Sequence, residues 1–446
     1  MDILQAKIEK YKFCLQNRLI RKKFYNFEYS KEITMSTIAT QQELTRLCGL
    51  ICERDAEERR KQSTLFQRIH GEREPPRLRI SQAAKLIGVA PSTLRYNERQ
   101  GIIQSPENVM PNGERVYTLR EINEIRKQLQ REPRRPGASA AAVVSFSQQK
   151  GGVGKSTHAL HFAQYAARRG YRVLLIDLEP QGTITTAFIR FPDLVLHDDA
   201  DAYQALVADP NALQTRIRKT HWDGLDLLPA TPELNYIDWE LAQPDQADHP
   251  ELGRPVYRLR QAIHPVRSLY DLIVLDTPPS MGMLAANALS AADIVISPLV
   301  PHRFDLASSA IFFRQLGRLA QGGATRIQRL GVLITRIDPG RDVENHIGII
   351  ERIYGGIILQ ARMGTTAELE KASADDFASI YDISQPRGSR ETYNRAINMM
   401  DAVNAQILSY ATEIWDREAM SLLQEPLANS RDQRIWGKSQ EDSLNG

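Results

Sequence analysis

The sequence predicts an α/β fold: a P-loop, doubly wound, mostly parallel sheet, preceded by a small, mainly α winged helix-turn-helix domain. Three observations predict it. The glycine-rich box Gln149-Lys150-Gly151-Gly152-Val153-Gly154-Lys155-Ser156-Thr157 follows the apolar run 141–146 and precedes a helix-like segment that ends in Arg168-Arg169-Gly170. Continuous apolar runs recur behind it at 172–176, 271–276, 292–301 and 331–336, the pattern of parallel strands covered on both faces. Ahead of it, two short helical patterns meet at Gly88-Val89-Ala90, the spacing of a helix-turn-helix.

At 446 residues the chain is too long for one small core, so two or more domains are expected. With 25% charged and 42% apolar residues it has an ordinary soluble composition. No apolar run approaches a membrane span and the N-terminus lacks a signal peptide's apolar core, which places the chain in the cytoplasm. Its three cysteines, Cys14, Cys48 and Cys52, have no histidine beside them and read as reduced bystanders. The net charge of +3 hides an asymmetry: residues 1–140 hold 27 Lys and Arg against 17 Asp and Glu, and the remainder is acidic. A basic front suits a nucleic-acid contact, and a solvated basic face would look the same.

In chain order, residues 1–77 read as an N-terminal helical extension. Within it, 1–34 carry no clear cap or turn, and 36–70 show helical spacing at Leu44, Leu47, Leu50 and Ile51, with dimerisation or simple capping as the role. In 78–130, Ser81 is a candidate N-cap, the first helix ends at Gly88, and Pro91 opens the second. That second helix turns Leu94 inward and offers Ser92, Thr93, Arg95, Tyr96, Asn97 and Arg99 to phosphates and base edges. Asn112-Gly113 signals a hairpin between Ile102-Ile103 and Val116-Tyr117, a wing with Arg115 beside its tip. Thr118 to Glu121 is a capping box. A helical domain used only for protein contacts would share these features. Residues 131–140, charged and proline-rich, read as a linker.

The α/β domain is expected over 141–420. In its P-loop the glycines bring the backbone close to phosphate oxygens, Lys155 supplies charge to the β and γ phosphates, and Ser156 places its hydroxyl on Mg²⁺. Asp177 and Glu179, at the end of the next strand, are candidates for the cation and the attacking water, and Asp276, ending another, for Mg²⁺. His158 and His161 lack a third ligand and read as packing residues. Residues 421–446 are a polar tail without a basic amphipathic face for a membrane.

The box from Lys150 to Thr157 resembles the deviant Walker A motif of the ParA/MinD family of ATPases. The resemblance covers 142 to about 410 and implies ATP and Mg²⁺ as cofactors, with Lys150, Gly151, Gly152, Val153, Gly154, Lys155, Ser156 and Thr157 as nucleotide-binding residues. It further implies a homodimer with ATP sandwiched in it, in which Lys150 reaches the partner's nucleotide. Glu179 stands where the family usually has a second aspartate, which puts the rate of turnover in question. Thr277-Pro278-Pro279-Ser280 matches the segment that senses the γ-phosphate, and Thr335 and Arg336 fall where relatives contact adenine. Arg314, Arg318, Arg326 and Arg329 fall near the part of the surface with which partition ATPases hold DNA without sequence preference.

Residues 80–129, above all Gly88 to Tyr96, resemble the winged helix-turn-helix of MerR-type regulators, departing at Ala90 and Asn97. Together the two resemblances imply a large ParA-type plasmid or chromosome partition ATPase, cytoplasmic and associated with the nucleoid. It would be stimulated by a ParB-like centromere-binding protein and would repress its own operon through operator DNA. The alternative is an ATP-switched transcriptional repressor that moves no cargo. A MinD-like membrane regulator lacks its tail here, and an iron-sulfur carrier lacks its cysteines.

Overall fold

The computed structural model describes residues 41–70, 75–110, 113–133, 135–136, 139–196, 200–243, 252–338, 340–376, 379–383 and 389–424. The expectations for 1–34, Cys14, Asn112 and the tail beyond 424 lie outside the described residues. Contacts divide the chain into two units, residues 1–65 and 66–446. The break falls inside helix α1 (Gln41–His70). On its own, α1 carries i,i+4 ion pairs Arg59–Asp55 and Lys61–Glu57 and leaves Leu44, Leu50 and Ile51 exposed.

In the second unit, β1 (Leu78–Arg79) leads into α2 (Ile80–Ile87) and α3 (Pro91–Arg99). The first helix starts one residue before Ser81, because the Gln82 Oε1 accepts the Arg79 N–H at 2.9 Å and makes Arg79 the cap in place of the expected serine. Gly88, left-handed at φ 79°, ends it, and Pro91 opens α3 as expected. The wing is β2 (Asn108–Val109) against β3 (Arg115–Tyr117), with β1 on the other side of β3. The expected first strand at Ile102-Ile103 is instead a turn: Ile103 is buried in the core with Leu94 and the first residues of α4 (Leu119–Gln128). The Thr118–Glu121 capping box of α4 forms, Thr118 N–H donating to Glu121 Oε2 at 2.6 Å and Glu121 N–H to Thr118 Oγ1 at 3.3 Å.

The α/β region is built on a seven-stranded sheet in the order β10-β9-β4-β8-β5-β7-β6. Its strands are β4 (Ala142–Phe146), β5 (Val173–Asp177), β6 (Arg218–Lys219), β7 (Leu225–Leu228), β8 (Leu272–Asp276), β9 (Ile294–Leu299) and β10 (Arg329–Ile334). All pairs are parallel except β6 with β7. Every residue of β4, β5 and β8 is buried, as their unbroken apolar runs require for strands covered on both faces. Helix α5 (Lys155–Arg168), which follows β4, lies on one face together with the long α9 (Arg390–Gln424), whose Val403, Ile407 and Trp415 join the same core. The central position of β4 puts its carboxyl end where the strand order reverses, the place open α/β sheets reserve for ligands.

Contacts tie the winged region to the sheet. The Arg126 guanidinium of α4 is buried and donates to Leu86 O at 2.9 Å and to Arg168 O, at the last turn of α5, at 2.6 Å. Asn123 Nδ2 donates to Asp223 Oδ2 at 2.7 Å beside it. The segment read as a linker is also tied down: Arg135 pairs with Asp271 and donates to Ser139 O, and Ser139 Oγ donates to Trp415 O at 3.4 Å.

Candidate functional site

The chain leaves β4 through the glycine-rich loop and enters α5. Gly154, at φ 91°, is the residue before the helix, and only glycine takes that conformation without strain while leaving the helix's first N–H groups free to face a ligand. Around this helix start lies an open cavity of about 620 Å³, lined by Gly151, Lys155, Ser156, Thr157, Glu179 and Arg336 among others.

Lys155 is buried, and its Nζ donates to Lys150 O at 3.3 Å. Burial lowers its pKa, while Asp276 and Glu179 pull it back up. Asp276, at the end of β8, is fully buried, and neither carboxylate oxygen has a well-formed hydrogen bond. Burial above all, and then Asp177, hold its pKa well above the ordinary range, with Ser156 and Lys155 acting the other way. A buried carboxylate with idle oxygens beside a serine hydroxyl and an ammonium is a poor resting arrangement and a good seat for a hard divalent cation. The donor set, one carboxylate and one hydroxyl, leaves the rest of the cation's shell to phosphate and water. The residues therefore fit Mg²⁺ with a nucleotide.

The two carboxylates at the carboxyl end of β5 part company. Glu179 lines the cavity, with its pKa raised by burial and held back by Gln181 N–H and Lys155. Asp177 does not. Its Oδ2 accepts Thr185 N–H at 2.8 Å and Thr185 Oγ1–H at 2.7 Å, and its Oδ1 accepts Glu179 N–H at 3.2 Å. Buried and engaged on both oxygens, Asp177 pins the start of α6 (Thr183–Phe188), and its pKa is pushed up to about 6, chiefly by burial. In this arrangement Asp177 ties the loop that carries Glu179 to the start of α6.

Lys150 is half-exposed, with its Nζ 2.5 Å from the buried Asp305 Oδ1 at the start of α8 (Arg303–Gln321). Arg336, at φ 54°, donates through Nη1 to Gly152 O, closing the loop from the β10 side. Thr335 Oγ1 is bonded to His158 Nε2 at 2.9 Å, which turns that hydroxyl away from a free role. Burial depresses the pKa of His158 to about 3 and of His161 to about 4, so both are neutral. His161 Nδ1–H donates to Thr157 O at 2.6 Å and its Nε2 accepts Ile380 N–H at 3.2 Å, a packing role. Sequence reasoning missed the far wall of the cavity, Met363, Thr365, Thr366 and Met400, contributed by a loop and a helix remote in the chain and carrying no motif.

The DNA-binding candidates divide as well. On α3, Ser92, Thr93, Arg95, Tyr96 and Arg99 are exposed and Asn97 is half-buried, while Leu94 is fully inward. Arg115 is ion-paired with the buried Glu98, which also accepts the Tyr117 hydroxyl at 2.5 Å. That residue fastens the wing to α3 and has less of its charge to give to DNA. Arg314 and Arg318 are exposed on α8. Arg326 donates to the buried Asp293, and Arg329 pairs with Glu413 and stacks over Tyr410, so neither is the unencumbered cation its place in an arginine-rich stretch implied.

A family model described as an AAA domain matches residues 141–326, and one described as a MerR HTH family regulatory protein matches 78–128. A putative replication protein A of Rhizobium rhizogenes is 30% identical over 358 residues, 76% of this chain and 87% of that protein. The chromosome-partitioning ATPase Soj of Thermus thermophilus is 37% identical over 195 residues, 44% of this chain and 69% of that protein. The chromosome partitioning protein ParA of Myxococcus xanthus is 31% identical over 218 residues, 49% of this chain and 72% of that protein. The chain belongs to the ParA family of partition ATPases. Within that family it carries a MerR-like helix-turn-helix ahead of the P-loop region. Among the described residues no helix is long and apolar enough to cross a membrane.

Proposed function

We propose that this ParA-family chain binds Mg²⁺–ATP, dimerises around it, and hydrolyses it slowly until a ParB-like partner and DNA accelerate the reaction, so driving partition of a replicon. The observation that carries the reading is the idle, buried carboxylate of Asp276 beside Ser156 and Lys155 at the start of α5. When bound, Mg²⁺–ATP would supply the γ-phosphoryl group for transfer to water, with the cation offsetting its negative charge. Ser156 and Asp276 hold the cation, and Lys155 neutralises charge on the phosphates. Glu179 orients the attacking water, its place on the cavity wall and its raised pKa both favouring proton acceptance. Lys150 exchanges Asp305 for the nucleotide of the partner subunit. Ser92, Thr93, Arg95, Tyr96 and Arg99 read an operator and repress the operon, and Arg314 and Arg318 contribute to nonspecific DNA binding.

The docking of α4 onto the end of α5 through Arg126 favours a second reading, a repressor for which ATP is only a conformational switch. One experiment separates the two: ATPase rates of wild type and Lys150→Ala, with and without duplex DNA and the cognate partner, together with sedimentation. Stimulation by both, lost in Lys150→Ala along with the ATP-dependent dimer, is expected for partition. Normal hydrolysis by Lys150→Ala with no change of oligomeric state on ATP would overturn the sandwich dimer and leave the repressor.

A further inference from the structure

At the amino ends of the strands, one sheet length from the P-loop, lies a second cavity of about 410 Å³. Its walls include Arg260, His264, Arg267 and Arg326, with Tyr257, Ile263 and Ala291 around them. The arginines come from three separate segments, α7 (Arg258–Ile263), the turn behind it and the approach to β10, so the convergence is made by the fold.

Two of them are held rigidly by one aspartate. Asp293 is 2% exposed; its Oδ2 accepts Val143 N–H at 2.9 Å and Arg267 Nη2–H at 2.8 Å, and its Oδ1 accepts Arg326 Nε–H at 2.8 Å. Arg267 also donates from Nε to Ala141 O at 3.1 Å. This leaves the Nη1 groups of Arg267 and Arg326 without a hydrogen bond among the described residues, in orientations fixed by the bonds their other nitrogens make. Arg260 is exposed and makes no ion pair among the described residues. Among the described residues the carboxylates acting on Arg267 are Asp293, already engaged on both oxygens, and Glu418 of α9, while Arg326 and Arg260 repel it. Three guanidiniums against two carboxylates, all three lining one cavity and with donors left over, form a fork for a tetrahedral oxyanion.

We propose that this cavity is a phosphate-binding site, separate from the P-loop, that takes a phosphate or diphosphate group between Arg260, Arg267 and Arg326. Both a DNA backbone and a free phosphorylated ligand offer that chemistry. The site goes beyond the function proposed above, since it lies at the opposite edge of the sheet and uses none of the nucleotide-site residues.

The test uses the full-length chain with Lys155→Ala, so that the P-loop does not dominate, titrated with inorganic pyrophosphate by calorimetry and with a labelled random-sequence duplex by fluorescence anisotropy. Pyrophosphate binding is expected to persist in this background and to weaken about tenfold on adding Arg260→Glu, the loss of one charge-assisted contact. Arg260 is exposed and unpaired, so this variant leaves the core bonds of Asp293 intact; Arg326→Gln, which does not, serves as a second variant only where circular dichroism shows it folded. If Arg260→Glu also weakens the duplex and pyrophosphate competes with it, the phosphate is that of DNA. If pyrophosphate alone is affected, the ligand is a free phosphate compound. Absence of pyrophosphate binding in Lys155→Ala, or titrations of both ligands unchanged by Arg260→Glu, would overturn the site.

Discussion

Asp276 and Asp293 are both buried aspartates at opposite ends of the two strands that flank β4, and the fold treats them in opposite ways. Asp293, at the amino edge, has each oxygen filled by a guanidinium and one also by a backbone N–H. Asp276, at the carboxyl edge, has both oxygens idle and shares its surroundings with Asp177 and Lys155. An internally satisfied charge holds structure together, whereas an unsatisfied one holds a place for something the chain does not contain.

Substitutions at the two positions should therefore fail in different assays. Asp276→Ala is expected to reduce hydrolysis about a thousandfold, the several kcal/mol a cation seat contributes to a phosphoryl transition state. Its urea midpoint without nucleotide should not fall; a fall would mean that Asp276 is structural after all. Asp293→Ala strands Arg267 and Arg326 beside an unpaired Val143 N–H and should cost about 3–5 kcal/mol of stability by denaturant unfolding. If its loss is below about 1 kcal/mol, the contrast between the two edges collapses.

The pH dependence sharpens the same contrast. Burial raises Asp177 to about 6 in the folded chain, above its unfolded value of about 3.9, so the folded state binds that proton more tightly. Stability from this group is complete below pH about 4 and is lost as pH rises to about 6, and Asp276 acts with the same sign. Unfolding midpoints followed across that window should decline in wild type and decline less in Asp177→Asn. Smallest of all, Arg329→Ala should change stability by no more than about 0.5 kcal/mol, because its pair with Glu413 is exposed by 44% on both sides. A larger loss would show that the stacking on Tyr410, rather than burial of the charge, anchors that edge.

Much of this was legible in the chain. Strands β4, β5, β8, β9 and β10 announce themselves because a strand covered on both faces needs an unbroken apolar run, and the P-loop and the Thr118 capping box are local chemistry at fixed spacing. What escaped depends on partners distant in sequence. Arg326 looks like an unencumbered cation until Asp293, 33 residues earlier, is seen to hold two of its nitrogens, and Arg329 until Glu413, 84 residues later, pairs with it. The bonds of Asp177 to Thr185 likewise depend on a turn that brings in a residue eight positions later. Ile103 has a strand former's apolar side chain, which points to a strand there, but it plugs the core beneath α3 instead.

The Arg126 clasp has a geometric consequence for DNA. One guanidinium holds both Leu86 of the helix-turn-helix and the last turn of the P-loop helix, which fastens the helix-turn-helix to the helix that opens at the nucleotide site. In the proposed dimer, the distance between the two reading helices would then be set by how the two ATPase halves meet. Operators would be chosen by the separation of their half-sites, in steps of a helical turn of about 10.5 base pairs, and a nucleotide that alters the dimer would retune that separation.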